Sequence, residues 1–316
     1  MARELDTASK SPLTLEGWLE FNRYKWGVKP LRVRLSEEGK ELPAIEAVLY
    51  LDRKGHIVQP PLNPYLPVTF HLTPTDKITR IYRQWASLSE LLVKEFITRG
   101  IKGSVAFPPD MVDVRQWQWN GFLAQVRYTF FIDLPYNLDL ADHSVRKQVN
   151  KAKRAGFTCQ IGTKDMLAEV IACFAETEVR QRFSYRLNVK DLELALNLLG
   201  EGTFRIYVCM SSSGEMASAR IILGAPGLRA IDWVAGTKKQ FLSSGATQLV
   251  ILYALTDLAE QGVKGFDFAG ANLPTVSAAK AVWGGKLMPY YIVRPLNLRT
   301  LGALGFRMWQ QIRRWK

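Results

Sequence analysis

Lys280 sits a few residues inside a short helix of small residues, after a buried strand, Lys264–Phe268, and a loop holding Gly270, Asn272 and Pro274. An ammonium at such a strand–loop–helix junction can stabilise negative charge developing on an oxygen. Asp267, within that strand, points away from Phe266 and Phe268. It can act as a general base, orient an amine, or cap the helix that follows. Asn272 is either the N-cap of that helix or a ligand for a reacting group. Upstream, Arg180 and Arg186 recur with Arg182 at near-helical spacing beside Phe183 and Tyr185. Arginine grips phosphate or carboxylate through two parallel bonds. Arg146, Lys147 and Lys151 share one helix with Lys153 and Arg154, a run that either tracks phosphates or forms a solvated face. Tyr65, in the proline-stiffened loop Pro60–Pro67, either lines a cleft or belongs to the scaffold.

Charge narrows the partners. Forty-two Lys and Arg against 29 Asp and Glu give +13, which attracts nucleic acid, anionic lipid, a nucleotide-sugar or coenzyme A. It also suits a plain solubility charge. The chain is 47% apolar and 22% charged, which fits a globular protein and excludes a disordered or fibrous one. No apolar run approaches the ~20 residues that span a bilayer. The start, MARELDTASKSPL, has no apolar h-region, so the cytoplasm is the expected compartment. Cys159, Cys173 and Cys209 lack metal-type spacing and read as buried thiols. His56, His71 and His143 are scattered, so no zinc site is expected; separately, no permanently bound cofactor is expected.

The elements that would position these residues form two α/β halves. The first half reads as a helix over Leu13–Trp26, a hairpin of Ile45–Leu51 and His56–Gln59, a helix near Thr75–Arg99 and a strand at Ser104–Phe107. In the second, strands at Ala124–Leu134 and Phe157–Ile161 flank a helix over Asp139–Ala155. Helical segments over Lys164–Arg186 and Lys190–Leu199 come next. Three strands follow, Phe204–Met210, Met216–Leu223 and Arg229–Ala235, and then a helix over Ser244–Gln261. Sliding the chain by 162 residues aligns Phe96–Gly103 with Leu258–Gly265 and places Lys280 opposite Gln118. This points to a duplication with one working copy. The expected division is 1–121, 122–297 and a basic amphipathic helix over 298–316. That helix carries Leu301, Leu304, Met308, Ile312 and Trp315 on one side and suits either an anionic membrane surface or docking on the protein itself.

Several of these stretches resemble the Fem-type branch of the GNAT-like acyltransferases. Tyr128–Leu134 is similar to the family's Y-T-x-x-I-D-L strand, and Arg146–Gly156 to its R-K-x-I-x-K-A-x-R-x-G helix. Asp267-Phe268-Ala269-Gly270, Lys280-Ala281-Val282-Trp283-Gly284-Gly285 and Pro289-Tyr290-Tyr291 are similar to its closing D-F-x-G … K-x-x-F/W-G-G … P-Y-Y. Ala279 departs from the family's frequent aromatic residue. Gln240–Ala246 only caricatures the coenzyme A loop of ordinary GNAT enzymes. The resemblance implies a mixed α+β fold of two tandem GNAT-like domains, in which an acyl carrier enters where two parallel strands splay apart. It implies an N-acyltransferase using aminoacyl-tRNA, or acyl-coenzyme A as the alternative, with an amine acceptor such as a peptidoglycan precursor or a small natural product. Lys280 would then be the oxyanion or leaving-group stabiliser. Arg180, Arg186, Asn272 and Tyr65 would bind acceptor, and Arg146, Lys147, Lys151, Trp233, Ser244 and Gly245 the donor. The competing reading from another class is a non-catalytic protein that binds nucleic acid or anionic membrane through its basic surfaces.

Overall fold

The computed structural model describes residues 11–296. In chain order the elements are α1 (Glu16–Trp26), β1 (Lys29–Ser36), β2 (Ala44–Leu51), β3 (Ile57–Val58), β4 (Val68–His71), α2 (Ile78–Arg99), β5 (Val105–Ala106), α3 (Arg115–Trp119) and β6 (Phe122–Asp133). They continue with α4 (His143–Arg154), β7 (Thr158–Ile161), α5 (Leu167–Gln181), α6 (Val189–Leu199), β8 (Phe204–Met210), β9 (Met216–Leu223), β10 (Arg229–Thr237), α7 (Ala246–Glu260), β11 (Gly265–Asp267), α8 (Pro274–Ala281) and β12 (Lys286–Pro295). The expected terminal helix over 298–316 lies outside the described residues.

The chain divides into two compact units. One holds Gly27–Arg127 with 289–296, the other 11–26 with Tyr128–Met288. In the first unit β2, AIEAVLYL, is buried along most of its length. It pairs antiparallel with all of β1 on one edge and with β3 and β4 on the other. The sequence reading lacked β1 for a physical reason. In KPLRVRLS the exposed positions include Arg32 and Arg34, the charged decoration of an edge strand, which imitates a loop. Helix α2 buries Ile81, Leu88, Leu92 and Phe96 and stops at Gly100, whose N–H bonds the Phe96 carbonyl. Phe96, Phe107 and Trp117 then pack as one aromatic group.

The second unit is built on a sheet in the order β6-β11-β10-β9-β8-β7. In this run only β10 and β11 are parallel; the other neighbours are antiparallel. Helices α4 and α7 bury Val145, Val149, Ala152, Leu249, Val250, Ala254 and Leu258 in its core. Helix α5 packs on β9 and β10, and α1 packs on α6. Trp18 and Phe21 of α1 stand edge-on against Trp233, so α1 is part of this unit although it precedes residue 121. Helix α5 is shorter than the span Lys164–Arg186, because Arg182 turns left-handed (φ 56°) at its end.

The offset of 162 residues is visible in the element order. Helix, strand, helix, strand runs α2-β5-α3-β6 in one repeat and α7-β11-α8-β12 in the other. The pairing crosses between repeats. β11 bonds β6 and β5 bonds β12, so each repeat's last strand serves the other's preceding one.

Candidate active site

The parallel pair β10–β11 is short. It runs from Arg229↔Gly265 to Ile231↔Asp267, after which β10 continues to Thr237 without β11. Functional clefts of α/β sheets open at the carboxyl ends of parallel strands where the chain parts, and the polar side chains gather at this point. A register shift between Asp232 and Val234 bends β10 there, as bulges do.

Beyond Asp267 the chain leaves β11 in a tight bulge. Ala269 takes a positive φ of 52°, uncommon for a residue with a side chain, and the geometry is held from several sides. Asp267 is buried, and its Oδ1 accepts from the Ala269 N–H at 2.8 Å and from Thr129 Oγ1 at 2.5 Å. Thr129 Oγ1 in turn accepts from the Gly270 N–H at 3.0 Å. Asn272 is not the N-cap of α8, which is Leu273. Its side chain instead pairs with the Tyr128 backbone, accepting from N–H at 2.9 Å and donating to the carbonyl at 3.3 Å.

This bulge aims two carbonyls at Lys280. Its Nζ donates to Phe268 O at 2.5 Å and to Gly270 O at 2.6 Å and lies 5.8 Å from the Phe268 ring centroid. An ammonium has three donors, so one remains for a reacting oxygen. Burial lowers the Lys280 pKa below that of an ordinary lysine; Asp232 and Asp267 pull it up and Arg220 pushes it further down. The four charged side chains therefore share one field.

Arg220 on β9 and Asp232 on β10 form an ion pair, each no more than 8% exposed, through one guanidinium nitrogen and Asp232 Oδ2. Arg220 Nε and Asp232 Oδ1 are buried without a hydrogen-bond partner. Such an orphaned group costs about 1–3 kcal/mol, which a ligand can recover. A second pair in the same unit, Arg205–Asp257, is closed by comparison, with Asp257 Oδ2 taking Arg205 and the Tyr207 hydroxyl, each at 2.7 Å. The sequence reading passed over Arg220 and Asp232. Their signal was a lone arginine inside MASARIIL and an aspartate inside RAIDWVAGT, each flanked by apolar residues.

The free edge of β10 is capped by side chains of the same unit. Tyr185 donates to Ala235 O at 3.0 Å, Arg180 to Thr237 O at 3.3 Å, and Thr177 Oγ1 accepts from the Thr237 N–H at 3.1 Å. The Tyr185 hydroxyl is pushed up to about 12 by burial, so it stays a neutral donor. Gly236 permits this approach, since a Cβ there would stand 2.3 Å from the Cys173 carbonyl of α5.

A family model described as an acetyltransferase (GNAT) domain matches residues 141–274. A crystal structure of FemX is similar over 96% of both chains, with a TM-score of 0.65 and 13% identity. The C-terminal domain of a putative lysylphosphatidylglycerol synthetase from Agrobacterium fabrum is similar over 96% of this chain and 93% of that one, at TM-score 0.60 and 12% identity. L-PGS from Bacillus licheniformis is similar over 95% and 98%, at TM-score 0.55 and 15% identity. No curated protein sequence matches. The chain has the Fem-type, GNAT-like acyltransferase fold.

Within that fold the expected site residues scatter into different roles. Lys280, Asp267 and Asn272 meet at the bulge. Arg180 is tied to β10 and Thr177, so it braces the strand and does not present a free guanidinium. Arg186 is exposed, outside any helix, with φ 56°. Trp233, expected at the donor, is buried among Trp18, Phe21 and Phe204. Ser244 and Gly245 close the turn into α7 against α4. The Ser244 hydroxyl bonds Phe241 O and accepts from the Ala246 N–H, and a Cβ on Gly245 would lie 2.1 Å from Gln148 O. Lys151 holds the same turn through Ser243 O at 2.6 Å. Lys147 is exposed and Arg146 half-buried, 3.7 Å from Asp139. Tyr65 lies in the first unit, buried edge-on against Tyr290. Among the described residues no group of three or more His, Cys, Asp or Glu could hold a metal, and no helix is long and apolar enough to cross a membrane.

Proposed function

We propose that the protein is an N-acyltransferase that moves an aminoacyl group from charged tRNA to an amine acceptor. The observation that carries this reading is the lysine ammonium clamped by two carbonyls where parallel strands part, with one donor to spare. The acceptor nitrogen attacks the ester carbonyl carbon, the carbon–oxygen bond to the ribose breaks, and the amine's proton ends on the ribose oxygen. Lys280 donates to the oxygen that bears negative charge in the tetrahedral intermediate. Asp267 positions the bulge that aims it.

Two features favour tRNA over coenzyme A. The chain carries +13, and α4 presents Lys147, Lys151, Lys153 and Arg154 on exposed positions, suited to a phosphate backbone. The free edge of β10 is already capped by Thr177, Arg180 and Tyr185. A carrier laid along it as an added strand would have to displace them. The match to an acetyltransferase domain keeps acyl-coenzyme A as the second donor. The acceptor is an amine of a peptidoglycan precursor or a small natural product. The likeness to a domain of a putative lysylphosphatidylglycerol synthetase supports work beside an anionic lipid surface, where 298–316 would make contact.

The test supplies labelled aminoacyl-tRNA and labelled acetyl-coenzyme A in parallel, with amine acceptors. Transfer from charged tRNA that falls at least a hundredfold in Lys280→Ala is expected. Absence of transfer from both donors, together with salt-sensitive binding to unrelated RNA, would leave the non-catalytic reading in its place.

A further inference from the structure

The proposed chemistry leaves the buried pair Arg220–Asp232 without a task. We infer that it is the subsite that reads the free α-ammonium of the acyl group, which makes the donor an aminoacyl ester and not a simple acyl one. This rests on the acyl-transfer reading above.

Asp232 Oδ1 is an acceptor and Arg220 Nε a donor; both are buried and neither has a partner. They belong to two side chains whose other polar atoms are bonded together. Asp232 is the first residue of β10 beyond the parallel ladder with β11, at the point of parting, and it acts electrostatically on Lys280. A ligand satisfying both atoms offers a hydrogen-bond donor and an acceptor a few bonds apart. An aminoacyl ester does so, with its ammonium separated from the carbonyl by one carbon. The ammonium meets the carboxylate, and the carbonyl oxygen turns to the cations Arg220 and Lys280. An acetyl group carries no donor and would leave Asp232 Oδ1 orphaned. A phosphate or carboxylate would suit Arg220 but be repelled by Asp232. The contrast with Arg205–Asp257 is direct: there the acceptor oxygen is shared by two partners within the chain, and neither residue is among the described ones with a buried unpartnered side-chain atom.

The test uses the full chain and small probes of the acyl end: glycinamide, alaninamide, serinamide and lysinamide, each beside its Nα-acetyl counterpart, titrated calorimetrically. At least one free amide is expected to bind saturably, with its acetylated form at least tenfold weaker. Asp232→Asn is expected to lower the free amide's affinity at least tenfold and to leave the acetylated form's affinity unchanged. Equal binding of free and blocked amides, or no binding of any free amide to the wild-type chain, overturns the subsite. These outcomes need no variant and so do not depend on how Asp232→Asn folds. Transfer of label from acetyl-coenzyme A, with no binding of free amides, would sink the subsite and leave the acyltransferase standing. Free-amide binding without transfer from any donor would sink the acyltransferase instead.

Discussion

Two of the three N–H groups of Lys280 are committed to Phe268 O and Gly270 O, so this residue is both fastener and candidate catalyst. Lys280→Met separates the roles. Leaving the bulge carbonyls without their donor is expected to cost about 1–3 kcal/mol, read from the denaturant midpoint. Turnover is expected to fall about 10²–10³-fold, the usual loss of one oxyanion donor. The ammonium is the working form, and burial lowers its pKa. Activity should therefore fall on the alkaline side before the ordinary lysine value of 10.5, and Lys280→Arg should remove that limb from the pH profile. The stability sign is opposite: the unfolded chain holds this proton more tightly, so this group's contribution to stability rises with pH between its folded value and 10.5. Lys280 was legible in the sequence because glycine, asparagine and proline mark the loop before it. Arg220 and Asp232 were not, because partnership across neighbouring strands depends on register, which no local pattern carries.

At the scale of elements, the site depends on how α5 and α4 meet the strands. Thr177→Val removes the acceptor for the Thr237 N–H. It is expected to lower stability by about 1–3 kcal/mol while leaving charged-tRNA affinity intact, measured by denaturation and by filter binding. Gly245→Ala sets a side chain at φ 88° and against Gln148 O; strain of this kind costs about 1–3 kcal/mol before the clash is counted, and a fall in thermal midpoint checks it. The turn at Gly245 read in sequence as a donor loop, because a glycine before a helix is the shared signature of phosphate cradles and of tight helix contacts. Only the position of α4 tells them apart. The strands β8, β9 and β10 were plain in sequence because they are buried along most of their length and are mainly apolar, with only isolated polar residues. The edge strand β1 and the four-residue β4 were hidden, one by its charges and one by its length.

At the scale of the molecule, the offset of 162 residues could be read from the sequence, but the crossing of strands between repeats could not, since pairing partners lie far apart along the chain. β5 has β12 as its partner and β11 has β6. Stopping the chain at Gly285 is expected to leave β5 unpaired and yield an aggregating product, read by light scattering, even though every residue around Lys280 is retained. A half-length polypeptide built from one repeat could meet the same pairings only by lending its final strand to a twin and borrowing one back. Such a pair would come apart on dilution. Joining the two copies end to end replaces that concentration-dependent exchange with a permanent tether, and it frees one of the twin junctions, now carrying glutamine where the other has lysine, from having to perform chemistry.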